Sequence, residues 1–399
     1  MSIPKMRFYG YDSPWKVSKL GELFEIYSGN TPSRSDRNNY DNGTIPWIKT
    51  TDLNNSLIYV NEEKITDHGA KKLKTLPKNT ILIAMYGGFN QIGRTGLLTY
   101  PATINQALAS LLPVKEINSY FLLNYLNLRK DSWRNVAASS RKDPNITKND
   151  VEKFKISFPS LEEQSSIGSL FRILDDLQAS YKENLANYQS LKATMLSKMF
   201  PKAGLTVPEI RLDGFEGEWT IKRADEIFKS VSEKNRASLP VLSASQIDGM
   251  VFRDEIGIDI KYDEAALNNY KVVKPGQFVI HLRSFQGGFA LSKLEGITSP
   301  AYTIIDFIDK KNNIPDFWNS ILTSRDFIKR LETVTYGIRD GKSISFKDFS
   351  SLKFVYPELE EQQAIGSYFA NLENVIVAYR EKITQLETLK KKLLQDMFT

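Results

Sequence analysis

Cysteine is absent, and histidine occurs only at His68 and His281. The first absence excludes a disulfide framework, a thiolate metal site and a cysteine nucleophile; the second excludes a histidine-rich metal centre. No apolar run approaches the ~20 residues needed to span a bilayer, and the opening MSIPKMRFYGYDSPW lacks the apolar core of a secretion signal. A cytoplasmic protein with no membrane partner is expected. Walker loops, Asn-Pro-Pro-Tyr or Asp-Pro-Pro-Tyr motifs and a Pro-Asp…Glu-x-Lys nuclease signature are all missing. Lys142-Asp143-Pro144-Asn145 echoes the second of these only superficially, and no catalytic or metal-binding residue is assigned.

What is present is a duplication. Pro159 to Phe200 reads PSLEEQSSIGSLFRILDDLQASYKENLANYQSLKATMLSKMF, and Pro357 to Phe398 repeats it without a gap, identical at 17 of 42 positions. In each copy a Pro-x-Leu-Glu-Glu-Gln opening leads into an amphipathic run. Ile167, Phe171, Leu174, Tyr181, Leu185, Tyr188, Met195 and Met199 recur at steps of three and four, as do Ile365, Phe369, Leu372, Tyr379, Ile383, Leu386, Leu393 and Met397. That spacing predicts two long helices with coiled-coil seams. At 1.5 Å per residue, about 36 residues would make a rod of ~54 Å.

Ordinary globular composition, 41% apolar and 25% charged, surrounds these runs in a chain of 399 residues. Its net charge of +6 divides unevenly: the two repeats carry −1 and −2, leaving +9 elsewhere. A basic excess outside the helices suits a polyanion partner, because Lys and Arg neutralise phosphates.

The regions between the helices also match. Arg7, Gly10, Trp15, Glu22 and Phe24 align with Arg211, Gly214, Trp219, Glu226 and Phe228. Strand-like runs such as TILIAMY (80–86) and QFVIHL (277–282) follow. Each is followed by a glycine-rich polar loop, Gly87-Gly88-Phe89-Asn90-Gln91-Ile92-Gly93-Arg94 and Arg283-Ser284-Phe285-Gln286-Gly287-Gly288-Phe289. These are expected to be tight turns, with Gly-Gly-Phe beside an arginine in both. Each region closes with a basic loop (Ser140–Ile146, Ile338–Ile344) and a short strand.

The expected architecture is mixed α/β: a globular domain over 1–158, a helix over 159–200, a linker over 201–210, a second globular domain over 211–356 and a helix over 357–399. Since the first helix must return through the second domain to meet the last, the helices are expected to pair antiparallel, with internal pseudo-two-fold symmetry and the domains at opposite ends.

Trp15-x-x-x-x-Leu20-Gly21-Glu22, Ile45-Pro46-Trp47-Ile48-Lys49-x-x-Asp52-Leu53 and the two Pro-x-Leu-Glu-Glu-Gln-x-x-Ile-Gly helices resemble the specificity (S) subunit of type I restriction-modification systems, over essentially the whole chain. The resemblance implies two target recognition domains, each reading one half of a split sequence in double-stranded DNA, and helices that set the gap. It implies docking to methyltransferase (M) subunits, expected to be two, and assembly with restriction (R) subunits. The chain itself would be non-catalytic and hold no cofactor, with S-adenosylmethionine, ATP and magnesium on its partners. The second half departs from the pattern: Arg223-Ala224-Asp225 replaces Lys19-Leu20-Gly21, and it has no Ile-Pro-Trp segment.

Two alternatives stand beside this reading, a coiled-coil scaffold that binds only protein and a DNA-modifying enzyme. Candidate DNA contacts follow from the pairing of arginine with guanine and of Asn or Gln with adenine. They are Arg34, Asn90, Gln91, Arg94, Arg141 and Lys142 in the first domain, and Lys234, Arg236, Arg283, Gln286, Arg339 and Lys342 in the second. Glu162, Glu163 and Gln164, with Glu360, Glu361 and Gln362, are expected to serve helix initiation, because acidic side chains suit the positive end of a helix dipole.

Overall fold

The computed structural model describes residues 4–137, 145–245, 248–256, 264–281, 288–334 and 346–398. They form two compact units, one of Met1–Lys182 with Glu381–Thr399, the other of Glu183–Arg380. Two helices, Leu161–Lys198 and Leu359–Phe398, each contribute a segment to both units.

Unit 1 is built on a five-stranded sheet, in spatial order Ile26–Ser28, Leu108–Leu111, Ile81–Ala84, Thr95–Leu98 and Ser56–Ile58. The first four strands run antiparallel to their neighbours and the last joins in parallel. Ile81–Ala84 is buried at every position, so it reads as an unbroken apolar run rather than an alternating one. Ile45–Ile48 lies in a separate sheet between Lys64–Ile65 and Thr103–Ile104; Pro46 is the second residue of this short strand and Trp47 is core.

Unit 2 repeats the four antiparallel strands in the same order: Phe228–Val231, Thr303–Phe307, Phe278–Ile280 and Phe289–Leu291. Each unit also pairs its first strand with its last, Lys16–Lys19 with Lys155–Phe158 and Thr220–Arg223 with Lys353–Tyr356. The matched glutamates close the short helices that follow. Glu22 accepts from the Lys19 backbone N–H at 2.9 Å, and Glu226 from that of Arg223 at 2.7 Å, satisfying a donor with no partner inside the helix.

The Leu-Glu-Glu-Gln motif does more than start a helix. Glu163 is 1% exposed and takes both guanidinium arms of Arg7, at 2.8 and 2.6 Å; Glu361 takes Arg211 at the same distances and also accepts from Trp219 Nε1 at 3.2 Å. Gln164 is fully buried: its Oε1 accepts from the Asn118 N–H, and its Nε2 donates to the carbonyls of Glu116 and Pro159. Gln362 does the same with Ile314, Asn312 and Pro357. The dipole reading therefore accounts for Glu162 and Glu360, while the second glutamate and the glutamine are tertiary clamps. The Ile-Gly that follows has its own reason. A Cβ on Gly168 would stand 2.8 Å from Asn118 Oδ1, and one on Gly366 2.9 Å from the Phe317 nitrogen, so only glycine lets the long helix approach the head of the neighbouring helix.

Within each unit the segments of the long helices run antiparallel, as expected. In unit 1 Asp175 pairs with Lys390, and Gln178 and Lys182 with Glu387; in unit 2 the Tyr188 ring stacks on Tyr379, and Lys192 pairs with Glu373. The seam is buried where a helix also meets a globular core, at Ile167, Phe171, Leu174 and Met199 and at Ile365, Phe369, Leu372 and Met397, and also at Ile376 and Ile383. At Tyr181, Leu185, Tyr188 and Tyr379 it is half-buried.

The helix ends close each core. Phe398 packs among Trp15, Phe121, Tyr125 and Phe171 with ring centroids 5.2–6.2 Å apart, while the Met6 N–H donates to the Asp396 carbonyl at 2.9 Å. In unit 2 Phe200 meets Trp219, Phe317 and Phe369, and the Ile210 N–H donates to the Lys198 carbonyl.

Candidate nucleic-acid interface

Six of the twelve candidate DNA contacts can be placed; Arg141, Lys142, Arg283, Gln286, Arg339 and Lys342 lie outside the described residues.

Asn90, Gln91 and Arg94 come together on the hairpin that joins Ile81–Ala84 to Thr95–Leu98. Bonds between Ala84 and both Arg94 and Gly93, at 2.8 and 2.9 Å, close its base. Gly87 and Gly88, at φ 111° and 75°, turn the chain at its tip. On the return, Ile92 drops into the core, and Gly93, at φ 72°, lies so close to Trp133 that a Cβ would stand 2.3 Å from the ring. This turn is held at both shoulders.

Asn90 is exposed and Arg94 half-buried, and among the described residues neither side chain makes a hydrogen bond or ion pair within the protein. Gln91 folds back over Gly87, leaving its Oε1 buried with no partner there. Tyr86 and Phe89, 41% and 50% exposed, flank these groups. Residue types had not marked the two rings out.

Arg34 sits in a different setting. Its guanidinium grips Glu63, lies 4.5 Å from the Tyr40 ring centroid and 5.0 Å from that of Trp47, and shares Glu63 with Lys49 at 2.8 Å. The hydrogen bond from Arg34 holds the Glu63 carboxyl below its usual range, against the opposing effect of burial. Side-chain exposure of 55% leaves an edge of the arginine open to an anion, but its orientation is already set by carboxylate and rings.

Lys234 and Arg236 lie beside Glu233 in unit 2. Glu233 binds Lys274 at 2.6 Å and Arg236 at 3.7 Å. Lys271 stands nearby with its ammonium on the Tyr302 carbonyl at 2.5 Å. Burial, and then the charge of Lys234, pull its pKa below the ordinary lysine value. Glu233, with Glu295 also acting on Lys274, leaves these four cations a surplus of positive charge, a setting for phosphate rather than base edges. Lys271 and Lys274 escaped notice because they sit on or beside a strand whose apolar residues dominate its pattern.

The two Gly-Gly-Phe triplets place their rings differently. In unit 1 the triplet opens the turn and leaves Phe89 outside. In unit 2 Phe289 begins the strand Phe289–Leu291 and is 4% exposed, packed against Phe327 and Phe349.

Among the described residues no group of three or more His, Asp or Glu is arranged to hold a metal, and no helix is long and apolar enough to cross a membrane. A cleft of about 870 Å³ lies in unit 1 where Tyr59, Lys78 and Tyr120 face Leu161, Arg172 and Ile173 of the long helix. Tyr120 donates to Asp175 at 2.6 Å, and burial followed by that carboxylate holds its pKa far above that of a free tyrosine.

Comparison with known proteins gives a consistent picture. Residues 12–188 and 216–388 match the model of the type I restriction modification DNA specificity domain. A type I restriction enzyme specificity subunit of Methanocaldococcus jannaschii is 24% identical over 408 aligned residues, covering 96% of this chain and 92% of the relative. An Escherichia coli specificity subunit is 29% identical over 175 residues, and the match spans only 43% of its length. The crystal structure of an S subunit from M. genitalium superposes with a TM-score of 0.66, covering 100% of this chain and 99% of that one at 16% identity, a likeness of fold.

Proposed function

Because this chain belongs to the type I restriction modification DNA specificity family, we propose that it is the DNA-reading subunit of such a system, each unit reading one half of a bipartite target. The observation that carries this is a common frame bearing different loops. Both units use the same four-strand order, the same buried Arg–Glu pair and the same glutamine clamp. What they present differs: an amide, a cation and two rings on the hairpin of unit 1, and a lysine-rich group around Glu233 in unit 2. A conserved frame with variable loops is how one scaffold serves different targets.

In this reading Asn90, Arg94 and the loop candidates of unit 2 contact bases or phosphates, and Lys234, Arg236, Lys271 and Lys274 contribute chiefly to phosphate binding. The long helices dock methyltransferase subunits, two by the duplication, and restriction subunits join the assembly. Exposed apolar side chains on those helices, Leu161, Ile173, Leu177, Leu191 and Leu389, support docking. The chain is non-catalytic, and S-adenosylmethionine, ATP and magnesium belong to the partner subunits.

Exchange of one globular region tests the proposal. Replacing 12–158 with the matching region of a relative of different specificity is expected to change one half of the methylated motif and leave the other half and the gap intact. Alteration of both halves, or of neither, refutes it.

A further inference from the structure

Phe89 stands apart from the other phenylalanines. Among the described residues it is the only one that is substantially exposed, while Phe121, Phe171, Phe228, Phe278, Phe317, Phe349 and Phe354 are each at 0–1%. The fold does not require this, since the triplet of the same sequence in unit 2 buries its ring. Nor does a loose loop explain it. Ile92 and Gly93 fix one shoulder of the turn, and on the other the Met85 N–H donates to Ala107 while the Met85 carbonyl accepts from Ile146, at 2.8 and 2.9 Å. An apolar ring held in water by a rigid support is pre-organised for a ligand.

The neighbours define the ligand. Among the described residues the amide of Asn90, next in sequence, has no partner, and neither has the guanidinium of Arg94. A small apolar surface beside an amide and a cation complements what an A·T pair presents in the major groove: a thymine methyl, adenine N6 and N7, and phosphate close by. A two-stranded ribbon also fits that groove. A protein-docking patch would need a larger and less polar surface.

Resting on the DNA-reading function above, we propose that the hairpin tip of unit 1 reads an A·T pair in its half-site, with the Phe89 ring against the thymine C5-methyl and Asn90 on the adenine. The assay uses the assembled complex with its methyltransferase subunits and a duplex carrying the motif found by methylation mapping. Each thymine of the half-site assigned to unit 1 is replaced in turn by deoxyuridine, which removes only the methyl group. At one position the wild-type complex is expected to lose about fourfold in affinity, the worth of one buried methyl. Phe89→Ala, an exposed site whose loss leaves the core untouched, is expected to bind the thymine and deoxyuridine duplexes equally, and Phe89→Leu to restore part of the difference. Asn90→Ala should relax the choice at the adenine.

Three results would overturn the inference: a half-site lacking any A·T pair, wild-type binding indifferent to every deoxyuridine, or discrimination that survives Phe89→Ala. Failure of the DNA-reading function itself looks different, since no motif would then depend on the chain.

Discussion

Glu163→Ala is expected to destabilise unit 1 by about 3–5 kcal/mol, because it strands the Arg7 guanidinium in a site made for a carboxylate. With side-chain exposures of 9% and 1%, neither partner has solvent to fall back on. Arg7→Ala should cost as much, leaving Glu163 as the uncompensated charge. Arg7→Met combined with Glu163→Leu should recover most of the loss, since an apolar pair of similar volume avoids the desolvation that the ion pair must overcome. Glu361→Ala carries an added cost in unit 2, where Trp219 Nε1 loses its acceptor. Two units need not unfold together, so the readout is hydrogen exchange resolved along the chain. Single variants that cost under ~1 kcal/mol would show that the pair is incidental.

Phe398→Ala is the second substitution with a large expected effect, about 3–5 kcal/mol on unit 1. The ring is 3% exposed and completes an aromatic cluster with Trp15, Phe121, Tyr125 and Phe171. Phe200, its counterpart in unit 2, is only partly buried, so Phe200→Ala should cost less, roughly 2 kcal/mol by the same cavity argument. Exchange protection falling in unit 1 for the first variant and in unit 2 for the second would establish that each helix end closes its own core. Equal effects of both variants on both units would contradict that assignment.

The long helices were legible in the sequence because a three-four stripe survives every surface substitution, and the duplication located them twice. Glu22 and Glu226 were likewise legible as a match, though their work, holding the backbone N–H of Lys19 and Arg223, shows only in the fold. Glu163 and Gln164 were misjudged in kind. Their partners, Arg7 and the backbone at 116–118, lie far away in sequence, and local rules see only the helix start.

Hairpins were harder to read. The repeated Gly-Gly-Phe gave no hint that Phe89 follows its strand and stays exposed while Phe289 begins a strand and is buried, a difference set by where the triplet falls relative to the strand rather than by composition. Phe89 and Tyr86 went unnoticed for a related reason: aromatic residues next to a buried strand look like core until their exposure is known. Arg34 was chosen for its chemistry, and the structure adds that Glu63, Tyr40 and Trp47 already engage it.

The measurement that bears most directly on the account is a genome-wide methylation map of cells expressing this chain with an active methyltransferase partner, compared with cells lacking the chain. The expected result is a split motif with an unread gap that appears only when the chain is present. A methyltransferase that is active in both cells, with no motif depending on this chain, would contradict the assignment of DNA reading to its two units.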